Sequence, residues 1–490
     1  MDTRKAVSLR ESLEARIVNM RLSKFYFLLA IISWSRCFLL LLLVSVLLPS
    51  DRRLGYTPDS LMYETMSNNL LAGAGLSLST APPYLPTMLK EPLYPTGIAL
   101  FKAVFGDSVE TLVYFQILIN PLIAILVYRI GNRLFEEKVA RLSAVLVALM
   151  PVYGECSFAV MPESFFMVLF LSTILLLLTL ETNPSPRGFL LAGALLGLSS
   201  LFKNILLPLA VLYPAALIVK HSKSLNRQMV MNAMLFLLAF SLVTTPWMWR
   251  NKQQLGLFAI SVRGGALFSH QAAWAANFTG EEWKAYSVYL LSGTLAQRLY
   301  PQIIGNDLGE YEYTVLMRRE YVEGLMKQRR EGEVESFLVS EGLRDFIRHP
   351  FKFAALSILV ELQTLKYFLP EALLSIKSPP EALWLLPTIR SLLIMVGILF
   401  TFLTIRGIFY CKGRLGDYWL LLGTTAYFHL VSAGLGIVPG AILRYIMPAT
   451  VFYTFFIVIA VMGPKAMSRE SAMAPSGPLV CATKYVTPST

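Results

Sequence analysis

What most constrains this chain is the recurrence of apolar runs close to twenty residues long. They fall near residues 27–48, 111–130, 139–157, 162–181, 188–203, 204–220, 229–249, 386–405, 417–436 and 445–463. A run of about 20 residues crosses a bilayer core of ~30 Å as an α-helix. A backbone in hydrocarbon must satisfy its own hydrogen bonds, which leaves helices or a closed barrel. A barrel would show short alternating segments instead. The expectation is an all-α polytopic membrane protein with about ten spans. At 15% charged residues, the chain lies well below the quarter usual for soluble domains. The fifth and sixth runs are short and meet at Lys203. The first run is long and lacks a small-residue cleavage site, so it reads as a retained span rather than a signal peptide.

The formal net charge is +12, and much of it is near the spans. Arg4, Lys5, Arg10, Arg16, Arg21 and Lys24 precede the first span. Arg129, Arg133, Lys138 and Arg141 follow the second, and Lys220, Lys223 and Arg227 follow the sixth. These are cytoplasmic anchors rather than a nucleic-acid surface. Both termini are then expected inside, with Arg406, Lys412, Arg414, Lys465 and Arg469 also inside. Residues 353–370 could be an interfacial helix or an eleventh span, because Glu361 and Lys366 interrupt them. The preferred count leaves them at the outer interface. The resulting organisation is a cytoplasmic segment 1–24, a membrane domain 25–463 and a disordered tail 464–490. Two long outer segments, 49–110 and 250–352, interrupt the domain. Most charges of stretch 313–352 are expected on a solvated face. The four cysteines and four histidines show no metal-ligand spacing. No cofactor is expected, and the question of a divalent metal stays open.

Several short stretches carry candidate chemistry. In "GYTPDSLMYETMSNNLLAGAGLS", residues 55–77, Thr57 can cap a helix whose first turn holds Pro58. Leu61, Met62, Met66, Leu70 and Leu71 fall on one face, as in a helix lying in the membrane plane. Asp59 sits at its positive end, a place that suits either chemistry or simple complementation of the dipole. Lys90 precedes a turn fixed by Pro92 and Pro95; it can snorkel to headgroups or hold a lipid phosphate. Glu155 and Glu163 flank a short turn, and Glu163 opens the fourth span after Pro162. Trp247 and Trp249 look like an interfacial belt, with Arg250 and Lys252 beside them. Arg444 begins the last span. Arg36, inside the first span, has no explanation beyond snorkelling.

In this order the motifs "DSLMYETMSNNLLAGAGLS", "KEPLYPTGIALFKAVFG", "MPESFFMVLF", "LAGALLGLSSLFKN", "TTPWMWRNKQQLG", "IRHPFKF" and "RYIMP" resemble the C-type (GT-C) glycosyltransferases that use polyprenyl-phosphate sugars. The branch most resembled holds protein O-mannosyltransferases and lipid A aminoarabinose transferases. Many relatives have an Asp-Glu pair where this chain has Asp59-Ser60. The resemblance implies a GT-C fold and transfer of a hexosyl or pentosyl group to a lipid, glycan or protein acceptor. It implies an acidic active-site residue at Asp59 and a second at Glu163. It also implies donor or phosphate contacts at Lys90, Lys203, Arg250 and Arg444. An inverting displacement with Asp59 as base needs no water nucleophile, unlike glycoside hydrolysis. Partners would be the lipid-linked donor and membrane lipids. The location expected is the plasma (inner) membrane, with the site on its extracytoplasmic side. A lipid or polysaccharide transporter and a non-catalytic scaffold are the alternatives. The first is disfavoured by the lack of internal repeats and by charges gathered at one interface rather than mid-bilayer.

Overall fold

The apolar runs become helices. The computed structural model describes residues 16–47, 57–106, 108–222, 226–262, 264–291, 293–305, 318–362, 364, 385–435 and 439–464. The residues 1–15 and 465–490 lie outside it, and with them most of the expected cytoplasmic segment and tail. Among the described residues no strand forms, and one isolated bridge pairs Ser77 with Pro86. The helices that frame the site and its cap include α1 Leu22–Leu47, α2 Pro58–Leu71, α3 Leu93–Phe105, α4 Val109–Ile119, α5 Pro121–Leu134, α6 Glu137–Leu149, α7 Pro151–Phe158, α8 Glu163–Thr182 and α9 Pro186–Phe202. They continue with α10 Leu209–Lys220, α11 Arg227–Leu255, α12 Gly264–Asn277, α13 Glu331–Arg348, α14 Pro350–Glu361, α15 Leu385–Tyr410, α16 Trp419–Leu435 and α17 Pro439–Met462.

Among the described residues, five helical stretches are long and apolar enough to cross a membrane alone: Leu22–Leu43, Thr111–Leu134, α8, α11 and Arg444–Met462. Two bent pairs raise this to seven if each is one span: α6 with α7 at 51°, and Ile394–Tyr410 with Lys412–Gly434 at 97°. Every expected run coincides with a helix. The difference from ten lies in the second bent pair, which joins two expected runs, and in the short helices α9 and α10. Helix α14 has 12 residues, or ~18 Å of rise, too little to cross alone. The rest of the ambiguous stretch, beyond 364, lies outside the described residues.

Small residues let the spans approach closely. A Cβ on Gly193 of α9 would lie 2.1 Å from the Phe236 carbonyl oxygen of α11, so those backbones touch. Gly407 of α15 meets the Phe456 carbonyl oxygen of α17 in the same way, at 2.0 Å. Arg36 is not snorkelling. Its guanidinium donates to the carbonyls of Val147 and Met150, at 2.9 and 3.1 Å, and to Asn120 Oδ1. Pro151 has no N–H to give the Val147 carbonyl four residues back, and Arg36 donates to that carbonyl beside Met150 N–H. Asn120 continues this seam to the Tyr153 carbonyl and Ser157 Oγ, both 2.6 Å.

Helices α12 and α13 form a cap over one end of the spans. Glu331, Glu335 and Glu341 of α13 are partly buried, whereas Glu333, Arg344 and Arg348 are exposed. Glu335 Oε1 accepts from Gly265 N–H at 2.5 Å, at the start of α12, and Glu341 accepts from Ser269, Tyr321 and Arg318. Burial pushes both Glu331 and Glu335 above the usual carboxylate range. On α12, burial, reinforced by Arg318 and opposed by Glu341, pushes His270 down to about 4. Its folded pKa lies below the ordinary 6.5, so the unfolded cap binds a proton that the folded cap refuses. His270 therefore stabilises the cap above pH ~6.5, and that stability is lost as pH falls toward about 4. Hydrogen exchange in residues 264–277 should be unchanged from pH 8 to 7 and accelerate between pH 6 and 4, after correction for intrinsic rates. A His270→Leu variant should lack the acceleration. Equal acid sensitivity in both proteins would remove His270 as its cause.

Candidate functional site

The site is built where α2 meets the turn between α7 and α8. Thr57 and Ser60 form the capping box at the start of α2, with Ser60 N–H donating to Thr57 Oγ1 and Thr57 N–H to Ser60 Oγ. Ser60 Oγ also donates to the Val160 carbonyl at 3.1 Å. Ser60 thus pins the helix start to the turn before Glu163. The inward face of α2 is Ser60, Tyr63, Met66 and Ser67, all buried. The expected apolar face is split by this: Met66 points in, while Leu61 and Leu71 are exposed. Outward leucines suit a helix at a lipid surface, and on the inward face the Tyr63 ring meets the site under Lys90. Tyr63 packs edge-on against Tyr94 of α3 at 5.0 Å. Tyr94 OH donates to Gln116, which donates on to the Ser157 and Ala159 carbonyls.

Five charged side chains then converge from distant parts of the chain. Lys90 Nζ lies 2.6 Å from Asp59 Oδ1, and Arg444 Nη2 lies 3.5 Å from Asp59 Oδ2. Lys203 Nζ lies 3.0 Å from Glu163 Oε1, and Arg444 Nη1 approaches the same oxygen at 4.0 Å. Arg444 thus bridges the two carboxylates. The side chains of Lys90 and Glu163 are almost wholly buried, at 3% and 2% exposure, whereas Arg444 keeps 22%. Lys90 rests over the Tyr63 ring at 5.2 Å, and Lys203 lies between the rings of Phe166 and Tyr445 at 5.4 and 5.7 Å. Burial pushes the Tyr63 phenol well above its usual range; the charges of Glu91, Asp59 and Glu163 add to this and Arg444 opposes it. Tyr63 is therefore a neutral wall of the site rather than a base.

Three cations and two carboxylates meet here, and the charge of a third carboxylate, Glu91, also reaches Tyr63. Among the described residues no three His, Cys, Asp or Glu side chains gather as a metal-ligating group. Arg250 is not brought into this centre. It donates to the Thr87 carbonyl at 3.2 Å and to Asn251 Oδ1, and stacks over Trp247 at 4.7 Å. Trp247 turns inward to donate to the Ile260 carbonyl, while Trp249 remains exposed like a belt residue. Glu155 is buried in α7. Sequence reasoning missed Glu91, Glu331 and Tyr445. Glu91 and Tyr445 directly follow residues singled out, the only local hint either gives.

The fold and this centre define a multi-pass helical membrane protein with a cluster of paired charges at the ends of its spans. Residues 89–249 match the family model described as dolichyl-phosphate-mannose-protein mannosyltransferase, which bears out over that stretch the resemblance to the GT-C glycosyltransferases. No curated protein matches the chain. Among solved structures, the chain is similar to the archaeal oligosaccharyltransferase AglB from Archaeoglobus fulgidus in complex with an inhibitory peptide and a dolichol-phosphate. That likeness has 14% identity and a TM-score of 0.48, and it covers 90% of this chain and 50% of that one. The chain therefore spans half the length of that protein.

Proposed function

We propose that the chain is a membrane glycosyltransferase that moves a sugar from a polyprenyl-phosphate donor to a hydroxyl-bearing lipid, glycan or protein at the extracytoplasmic face of the plasma membrane. The observation that carries this reading is the bridging of Asp59 and Glu163 by Arg444, with Lys90 and Lys203 completing the centre. A lipid-linked sugar has its reactive carbon at the membrane surface, where α2 holds a carboxylate. The donor phosphate would draw Lys90 and Arg444 from Asp59, leaving that carboxylate able to accept a proton. As the acceptor oxygen bonds to the anomeric carbon, the bond from that carbon to the phosphate oxygen breaks. The hydroxyl proton passes to Asp59, and the lipid phosphate leaves with the electron pair. One displacement inverts the anomeric centre. The leaving group is already anionic, so cations serve it better than a general acid. Glu163 then holds Lys203 and Arg444 in place.

The test is lipid mass spectrometry of cells lacking the gene. One polyprenyl-phosphate sugar should accumulate and return to its starting level when the wild-type chain is restored. An unchanged lipid-linked sugar pool, with no labelled sugar transferred by the purified protein from any such donor, would refute the reading.

A further inference from the structure

We propose that Glu91 is a positioning residue that holds Lys90 and Lys203 in register across a break in the helical chain. The proposal rests on the reading of this centre as a donor-phosphate site. Helix α9 ends at Phe202, and Lys203 is extended, with φ −147° and ψ 110°. A short 3-10 turn, Asn204–Leu206, follows. Such a break inside apolar surroundings frees a backbone N–H that needs an acceptor. Glu91 Oε1 supplies it, accepting from Asn204 N–H at 3.1 Å and from Ser261 Oγ at 3.0 Å. Asn204 Nδ2 closes the triangle by donating to the Ser261 carbonyl at 3.2 Å.

The geometry has a consequence for both lysines. Glu91 directly follows Lys90, and Asn204 directly follows Lys203. One carboxylate oxygen thus ties together the two backbone segments from which the lysines reach toward Asp59 and Glu163. The third segment, around Ser261, is itself fixed. Gly256 ends α11 in the left-handed conformation, with φ +89°. The chain then folds back, and Asn251 and Trp247 bind the Ile260 carbonyl. Val262 N–H donates to the Met88 carbonyl at 3.0 Å, and Glu331 of α13 holds Thr87 Oγ1 and Met88 N–H, both at 2.8 Å. The Lys90 loop is therefore held by the cap on one side and by the α9 break on the other. Glu91 joins the two.

A Glu91→Ala variant removes the acceptor, whereas Glu91→Gln keeps a carbonyl oxygen for both donors. With the protein in lipid nanodiscs and no donor, amine labelling read by mass spectrometry should accelerate at both Lys90 and Lys203 in Glu91→Ala, by about tenfold, the equivalent of roughly one charged hydrogen bond. Glu91→Gln should label slowly. Affinity for undecaprenyl phosphate should fall by a similar factor in Glu91→Ala and recover largely in Glu91→Gln. The loss should shrink when Lys203→Ala is already present, because the two changes act through one contact. A merely structural role would add its full effect in that background. Wild-type labelling at both lysines in Glu91→Ala, or an undiminished loss in the Lys203→Ala background, overturns the proposal. If the labelling changes but the wild type does not bind undecaprenyl phosphate, Glu91 does position the lysines and the donor reading is what fails. Should Glu91→Ala not assemble, Glu91→Asp, one methylene too short to reach both donors, takes its place with the same expectations.

Discussion

Asp59→Asn should lower sugar transfer by ~100-fold or more, the lower end of what a positioned general base contributes, while leaving donor affinity equal or tighter. Asparagine keeps the size of the side chain and can still sit beside Ser60 at the start of α2. It cannot take a proton at neutral pH. It also removes the carboxylate that holds Lys90 at 2.6 Å and Arg444 at 3.5 Å in the free protein. Those cations should then be more available to a phosphate, so turnover and affinity are expected to separate. A loss of folding would lower both together, and a headgroup-anchoring role for Asp59 would leave kcat untouched. Single-turnover transfer from a saturating donor, beside undecaprenyl phosphate binding, measures both quantities. Wild-type kcat in the variant, with assembled protein, would remove Asp59 from the role of base.

The spans were legible because hydrocarbon allows few solutions: each apolar run had to become a helix, and each did within the described residues. The Thr57 cap was legible because capping is local, acting over three residues. The inward face of α2 was not. Periodicity marks leucines as buried, but a helix in the membrane plane has lipid on one side and a polar site on the other, so Leu61 and Leu71 point outward. The centre itself became readable only through the order of several motifs. Asp59, Lys90, Glu163, Lys203 and Arg444 carry no common local pattern, and each alone passes as a helix end or a snorkelling charge. Arg250 shows the limit of that approach, since its motif fits and its side chain serves the Thr87 loop instead. Arg36 and Glu91 answer backbone groups freed by breaks at Pro151 and Lys203, and such pairings across the chain leave no trace in spacing.

Arg444 is where the centre should be most sensitive to charge and shape together. It reaches both carboxylates, at 3.5 Å from Asp59 and 4.0 Å from Glu163. A guanidinium can engage a phosphate through two parallel donors and still lean on a carboxylate, which an ammonium cannot do. In the proposed reaction it meets the donor phosphate in the ground state and more strongly as the leaving oxygen gains charge. Arg444→Ala should therefore raise donor KM and lower kcat together, with kcat/KM falling on the order of 100- to 1,000-fold, as for loss of one oxyanion contact. Arg444→Lys should restore the charge without the fork and recover only part of that loss. Pairing Arg444→Ala with Asp59→Asn separates the phosphate role from the ion pairs. If Arg444 acts only by orienting Asp59, the double variant will be no worse than Asp59→Asn alone. If it acts on the phosphate, a further loss in donor affinity will appear there. Should Arg444 merely anchor the start of α17 to lipid headgroups, the alanine variant would be produced poorly, yet the protein that assembles would turn over normally. Near-wild-type kcat/KM in purified Arg444→Ala would therefore rule out the phosphate contact.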